Sequence, residues 1–148
     1  MKIIITEDQN EQLNRKIRLT VEKLGLTQAR ELFGDELIKQ TYIDKPSLFL
    51  NQFNNLKLVE KDDKIYYVDN DNLALFYYLK KDQESKNGYY YINYDRIWSF
   101  FEDVMGYNYT KTQQIIKEWL GTAYNLRELT PFAYHTSYFD RSWERPIT

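Results

Sequence analysis

The densest run of aromatic residues in the chain lies at residues 88–126, and it limits the folds that the chain can adopt. It opens with a β-favouring segment at residues 89–92 and continues as two segments in which apolar residues recur with helical spacing. Asn93 is placed to cap the first helix, and Thr110 with Gln113 has capping-box spacing at the start of the second. A strand followed by two amphipathic helices predicts a helical hairpin packed on a sheet.

The N-terminal third of the chain predicts helices. The longest spans residues 7–24, where apolar side chains recur at steps of four, four and three: Leu13, Ile17, Val21 and Leu24. Shorter helices follow at 27–34, 35–42 and 44–53, and a strand is predicted at 2–5, before a capping Thr6. Three short helices in succession resemble a helix-turn-helix, but none presents Arg, Lys, Asn and Gln together, so a packed helical layer is the better interpretation.

The middle of the chain predicts an antiparallel sheet. Residues 56–60 and 65–69 flank the turn signal K-D-D-K, and residues 72–81 are apolar on both faces, which is typical of a central strand. The expected fold is therefore α+β, with N-terminal helices, a three- or four-stranded antiparallel sheet, a C-terminal helical hairpin and an irregular aromatic tail. Residues 1–126 are expected to form a single domain, and residues 127–148 a tail.

The tail lacks clear periodicity but remains rich in large apolar groups. We take five of them as candidate partner-binding residues: Phe132, Tyr134, Tyr138, Phe139 and Trp143. Tyrosine and tryptophan are enriched at protein interfaces. Two interpretations stay open, because such a tail either packs on its own domain or docks on another chain.

Residue types restrict the chemistry that the chain can perform. There is no cysteine, which excludes disulfides, thiol catalysis and cysteine metal sites. The single histidine, His135, lies in the tail without a G-x-S-x-G motif or further zinc ligands. The five glycines are scattered singly, so no phosphate-binding loop is present. We expect no catalytic residue, no metal and no cofactor.

Two groups of carboxylates have ordinary structural interpretations. The run D-N-D-N at residues 69–72 resembles the start of a calcium loop but lacks the required glycine and glutamate, so it is interpreted as a β-turn. Glu102, Asp103 and Glu118 lie in the predicted C-terminal helices. A glycosidase would need two such carboxylates in one cleft, and their spacing is equally typical of a solvated helix surface.

The tyrosine cluster could form a stacking platform for single-stranded nucleic acid. It comprises Tyr66, Tyr67, Tyr77, Tyr78, Tyr89, Tyr90 and Tyr91. However, the chain carries 20 basic and 22 acidic residues and has no basic segment, which disfavours tight binding to a phosphate backbone. Packing in the core and at its rim is the better interpretation. No apolar run is long enough for a signal peptide or a membrane span, so a cytoplasmic protein without a membrane partner is expected.

Several short motifs resemble a group of small uncharacterised proteins encoded by tailed bacteriophages. They are the opening M-K-I-I-I-T-E-D-Q, the segments E-L-F-G, L-I-K and P-S-L-F-L-N-Q-F-N-N-L, and the later Y-I-N-Y-D-R-I-W, I-I-K-E-W-L and Y-N-L-R-E-L-T-P. Together they cover residues 1–10 and 30–131 discontinuously, and the tail after Pro131 is outside the resemblance. The resemblance implies a viral origin, in the host cytoplasm or the virion, and no activity or site.

The leading hypothesis is a non-enzymatic bacteriophage protein that binds another protein of phage or host, as a structural virion component or an accessory factor. The lack of a catalytic constellation and the excess of tyrosine, 14 residues, favour it. A small phage enzyme or nucleotide-binding regulator is the first alternative, and a nucleic-acid-binding protein is the second. The sequence leaves the formation of a homo-oligomer open.

Overall fold

Two compact units make up the chain, Met1–Phe49 and Leu50–Thr148. A computed structural model of the protein describes residues 7–81, 88–134 and 145–147. The boundary between the units falls inside residues 1–126, for which a single domain stays a prediction. The predicted strand at residues 2–5 and the capping Thr6 lie outside the described residues.

The first unit contains three helices: α1 (Glu7–Leu24), α2 (Leu26–Phe33) and α3 (Asp35–Tyr42). Each confirms a predicted helix, and α1 confirms the one that was predicted from apolar spacing. Gly25 separates α1 from α2 with a φ of +92°, a conformation that side chains with a Cβ rarely adopt. The packed helical layer is confirmed by the side chains that are buried in this unit: Ile17, Val21, Leu26, Ala29, Ile38, Tyr42 and Phe49. The fourth predicted helix, Pro46–Phe53, is a 3₁₀ helix.

The second unit is built on a five-stranded mixed sheet: β1 (Lys57–Lys61), β2 (Lys64–Val68), β3 (Ala74–Leu79), β4 (Tyr89–Asn93) and β5 (Thr130–Tyr134). Strand order follows the chain from β1 to β5. The first four strands are antiparallel, whereas β5 runs parallel to β4. The α+β class and the central position of β3 are confirmed, but the predicted sheet lacked its fifth strand.

Strand β5 corrects the prediction of an irregular tail. A parallel pair needs a long crossover connection, and the helical residues between β4 and β5 supply it. The expected C-terminal hairpin is therefore an internal crossover that ends in a strand. No strand was predicted here because the tail lacks clear periodicity, and Pro131 within β5 is a residue that central strands exclude.

The crossover consists of two π-helical segments, Tyr94–Trp98 and Phe100–Val104, and of helix α4 (Tyr109–Ala123). Asn93 caps the first segment as predicted, since its side chain accepts a hydrogen bond from the Arg96 N–H at 3.3 Å. The π-helical form of these two segments was not predicted. They are so apolar that the spacing of their apolar residues does not distinguish a π-helix from an α-helix. None of the helices in the described residues is long and apolar enough to cross a bilayer.

Helix α4 begins two residues earlier than a Thr110 cap would place it. The Asn108 side chain accepts the Lys111 N–H at 2.8 Å and is the observed cap, which corrects the Thr110–Gln113 capping box.

We predict that Asn108→Ala lowers the free energy of unfolding by about 1 kcal/mol, because it leaves helix N–H groups without their acceptor. Thr110→Ala, at an exposed position inside the first turn, is the control and should change stability by less than about 0.5 kcal/mol. Urea unfolding measures both variants. If both variants lost the same free energy of unfolding, the Asn108 cap would not be the interaction that stabilises the start of α4.

Aromatic rings fill the face of the sheet that packs on α4. Phe76 of β3 stacks on Tyr67 of β2 with ring centroids 4.2 Å apart, and Tyr90, Trp119 and Tyr124 surround it edge-on. Tyr124 also ties the 3₁₀ helix to this core, because its hydroxyl donates to the Phe53 carbonyl oxygen. The core is thus organised around Phe76, which is fully buried.

Burial raises the pKa of the Tyr67 hydroxyl to about 12. A tyrosine in the unfolded chain titrates near about 10, so the unfolded state loses its proton first as the pH rises. We therefore predict that the free energy of unfolding falls between pH of about 10 and about 12, with at most about 1.4 kcal/mol per pH unit from this group. Tyr67→Phe should flatten the decline in urea unfolding measured across this range. An unchanged slope in the variant would contradict the assignment.

Candidate protein-binding surface

A row of aromatic rings crosses the face of the sheet opposite α4. It consists of Tyr66 on β2, Tyr77 on β3, Tyr91 on β4 and Phe132 on β5, each directly paired with the next across the strands. Successive ring centroids are 5.2, 5.1 and 6.2 Å apart. The spacing is that of interacting rings, so the pairing of four strands holds the row in place.

The inner end of the row is covered by the end of the chain. Tyr66 and Tyr77 are 5% and 8% exposed and cluster with Ile147, which is itself buried. The Ile147 N–H donates to the Asn72 carbonyl oxygen at 2.7 Å, which fixes the backbone of this residue to the turn before β3. At Ile147, therefore, the chain end packs on its own unit.

The outer end of the row is open to solvent. Phe132 is 43% exposed, and the Tyr89 ring, 6.1 Å away at 69°, is 45% exposed. Tyr109, the first residue of α4, is 44% exposed, and its pKa is raised first by burial and then by Glu102 and Tyr89. The Tyr109 ring packs on the buried Trp98 ring, with centroids 5.3 Å apart. We define the aromatic patch as the contacting rings of Tyr89 and Phe132 together with Tyr109, whose hydroxyl interacts electrostatically with that of Tyr89.

The backbone beside the patch is a poor template for an added strand. Thr130 donates to the Gly88 carbonyl oxygen, so even-numbered residues of β5 point their backbone groups at β4 and odd-numbered ones point outward. Pro131 has no N–H to offer on that outer side, and its carbonyl oxygen accepts a hydrogen bond from Gln113 Nε2 at 3.4 Å. The patch therefore offers rings rather than a free strand edge.

The five predicted partner-binding residues separate into two groups. Phe132 lies in the aromatic patch, and Tyr134 is the last residue of β5. Tyr138, Phe139 and Trp143 lie outside the described residues, as does His135. The sequence-based choice missed Tyr89, which the pairing of β4 with β5 brings into contact with Phe132, and it missed the exposed Tyr109 at the start of α4.

The stacking platform predicted as one possibility for the tyrosine cluster is largely absent. Five of its seven members are core residues that are at most 8% exposed: Tyr66, Tyr67, Tyr77, Tyr78 and Tyr90. Tyr91 is half-buried, which leaves Tyr89 as the exposed member. Core and rim packing, the preferred interpretation, is confirmed.

The Asp69 carboxylate forms the predicted turn. Its Oδ1 accepts the N–H groups of Asp71 and Leu73 at 2.8 and 3.0 Å, and its Oδ2 lies 3.0 Å from Arg96 Nη2. These three partners use both oxygens for structure, so the turn interpretation is confirmed.

The candidate catalytic carboxylates also have local roles. Glu102 accepts a hydrogen bond from Trp98 Nε1, and Asp103 accepts one from the Tyr94 hydroxyl at 2.9 Å. The pKa of Tyr94 is raised, first by burial and then by Asp103. The first bond links residues four apart and the second links residues nine apart, so both lie within the π-helical part of the crossover.

Among the described residues, no three carboxylate or histidine side chains approach closely enough to hold a metal ion. The arrangement with a direct chemical consequence is therefore the aromatic patch, which offers apolar area and two hydroxyl groups. No family model matches this sequence, and no similar protein was found among curated sequences or solved structures.

Proposed function

We propose that this protein is a non-enzymatic binding protein of a bacteriophage, either part of the virion or an accessory factor, and that it binds another protein through the aromatic patch. The observation that carries the proposal is the contact of two exposed rings, Tyr89 and Phe132, at one edge of the sheet, with a third exposed tyrosine, Tyr109, at the start of α4. The phage assignment rests on the motifs that resemble the phage group.

The patch has the features of an interface hot spot. Rings in contact with strand neighbours lose little conformational freedom on binding, and tyrosine contributes apolar area together with a hydroxyl group. Tyr91 lies beside Phe132 on the neighbouring strand, with ring centroids 6.2 Å apart. Because Pro131 blunts the outer edge of β5, the partner docks apolar side chains on the rings rather than adding a strand.

Single-stranded nucleic acid is the competing ligand, because bases also stack on exposed rings. Its backbone needs nearby cations, whereas Glu102 lies close enough to Tyr109 to raise the pKa of that tyrosine. The net charge of −2 adds no general attraction. These charges favour a protein partner.

A pull-down from the cells and virions in which the protein is found, read by mass spectrometry, tests the proposal. Tagged wild type should retain a partner that Tyr89→Ala/Phe132→Ala loses, with an affinity at least about tenfold weaker once the partner is purified. Leu58→Ala is the matched control, because Leu58 is 59% exposed on β1 at the opposite edge of the sheet.

Two outcomes would contradict the proposal. The first is a partner that the double variant binds as tightly as wild type does. The second is binding of a labelled thymidine oligonucleotide at low salt that is lost in the same variant, which would make the patch a nucleic-acid platform. Circular dichroism of each variant confirms that the fold is kept.

A further inference from the structure

A second exposed surface lies on the first unit, along the outer side of α1. Leu19 follows Ile17 by two residues, which turns its side chain about 200° around the helix. Ile17 is fully buried, whereas Leu19 is 46% exposed, and Leu24 at the end of the helix is 54% exposed. Leu24 follows Ile17 by seven residues and therefore lies on the same side of the helix as Ile17, but it is exposed in the last turn, so Leu19 is the apolar residue of the outer side.

Cations surround these leucines. The residues that frame a shallow surface depression of about 410 Å³ are Gln12, Arg15, Lys16, Leu19, Thr20, Lys23 and Leu24. Three of them are basic and none is acidic. Within the described residues, no carboxylate forms an ion pair with Arg15, Lys16 or Lys23. We call this set of seven residues the basic α1 face.

The acidic residues of α1 lie to one side of this face. Glu22 and Arg18 both act on Tyr42, the last residue of α3, whose pKa is raised to about 12, first by burial and then by Glu22. They therefore lie on the flank that faces α3, and helical spacing places Glu11 on the same flank. The basic α1 face itself contains no acidic residue that would neutralise its three cations.

We propose that the basic α1 face binds an acidic amphipathic helix of a protein partner. The exposed side chains of Leu19 and Leu24, which line the same depression, take the apolar side of such a segment, and the surrounding cations pair with its acidic flanks. Nucleic acid fits this surface less well, because exposed leucine side chains form no hydrogen bond or ion pair with a phosphate backbone. A membrane also fits it less well, because the more apolar side of α1 is already buried by Ile17 and Val21.

Fluorescence anisotropy with a synthetic probe tests this inference on the full chain. The probe is a labelled peptide of about 15 residues with Leu along one helical face and Glu on the flanks. We expect Arg15→Glu/Lys23→Glu to weaken its binding about tenfold or more, and Leu19→Gln about fivefold. A peptide with Lys in place of Glu should not bind.

The matched control is Lys45→Glu/Lys61→Glu, which changes the net charge equally at two exposed lysines outside the face and should bind as wild type does. Three outcomes would overturn the inference: no binding of the acidic peptide, equal loss in the control variant, or stronger binding to an oligonucleotide or to anionic phosphatidylglycerol vesicles. Tyr89→Ala/Phe132→Ala leaves this face intact, so failure here and failure of the aromatic patch are distinguishable.

Discussion

Phe76→Ala should lower the free energy of unfolding of the second unit by about 4 kcal/mol. The ring is fully buried and contacts four others, Tyr67, Tyr90, Trp119 and Tyr124, with centroids between 4.2 and 5.9 Å away. Removing it leaves a cavity that rigid rings cannot collapse to fill. Because small domains are stable by about 5–15 kcal/mol, such a loss brings the unit close to unfolding. Urea denaturation followed by tryptophan fluorescence measures it.

Phe76→Leu is the control for this experiment. Leucine keeps most of the buried apolar volume, so the expected loss is about 1.5 kcal/mol. If Phe76→Ala cost less than about 1 kcal/mol, the core would have to be organised elsewhere than around this ring.

Ile147→Asp should lower the free energy of unfolding by about 3 kcal/mol. The wild-type side chain is packed on Tyr66, Val68, Ala74 and Tyr77. A carboxylate in that position is either buried without a partner or drawn out into water, and in the second case the contact of the chain end with the sheet is lost. Urea denaturation gives the loss, and binding of an apolar dye should rise because the inner end of the aromatic row is uncovered.

Pro146→Ala provides the comparison, since Pro146 is exposed beside the same backbone and should change stability by less than about 0.5 kcal/mol. If Ile147→Asp left the free energy of unfolding unchanged, the packing of Ile147 would not stabilise the sheet. A truncation at Pro131 is a less informative test of the tail, because it removes most of β5 along with Ile147.

The two faces of the sheet have different consequences for function. The face on α4 is closed by Phe76 and its neighbours, and on the opposite face Ile147 covers the inner end of the aromatic row. The open end carries Tyr89 and Phe132, so the exposed rings are held by the same strands that form the core. A rigid support of this kind lowers the entropic cost of binding.

Local patterns in the chain were sufficient for much of the fold. Apolar spacing in α1, the turn at Asp69 and the Asn93 cap depend on residues a few positions apart, so the printed sequence contains all the information they need. Strand β5 was not predicted, because the tail lacks clear periodicity and contains Pro131. The missing N–H of this proline is tolerated only because β5 is an edge strand, which is a property of the sheet and not of the segment.

The sequence by itself determined the α+β class, the helices of the first unit and an antiparallel sheet, whose number of strands it left at three or four. Only the tertiary structure decided that β5 joins β4 in parallel, that Ile147 covers one end of the aromatic row, and that Tyr89 contacts Phe132. The physical reason is the range of the interactions. Helices and turns form from contacts within a few residues, whereas the patch depends on strand pairing between segments about 40 residues apart, which no local pattern encodes.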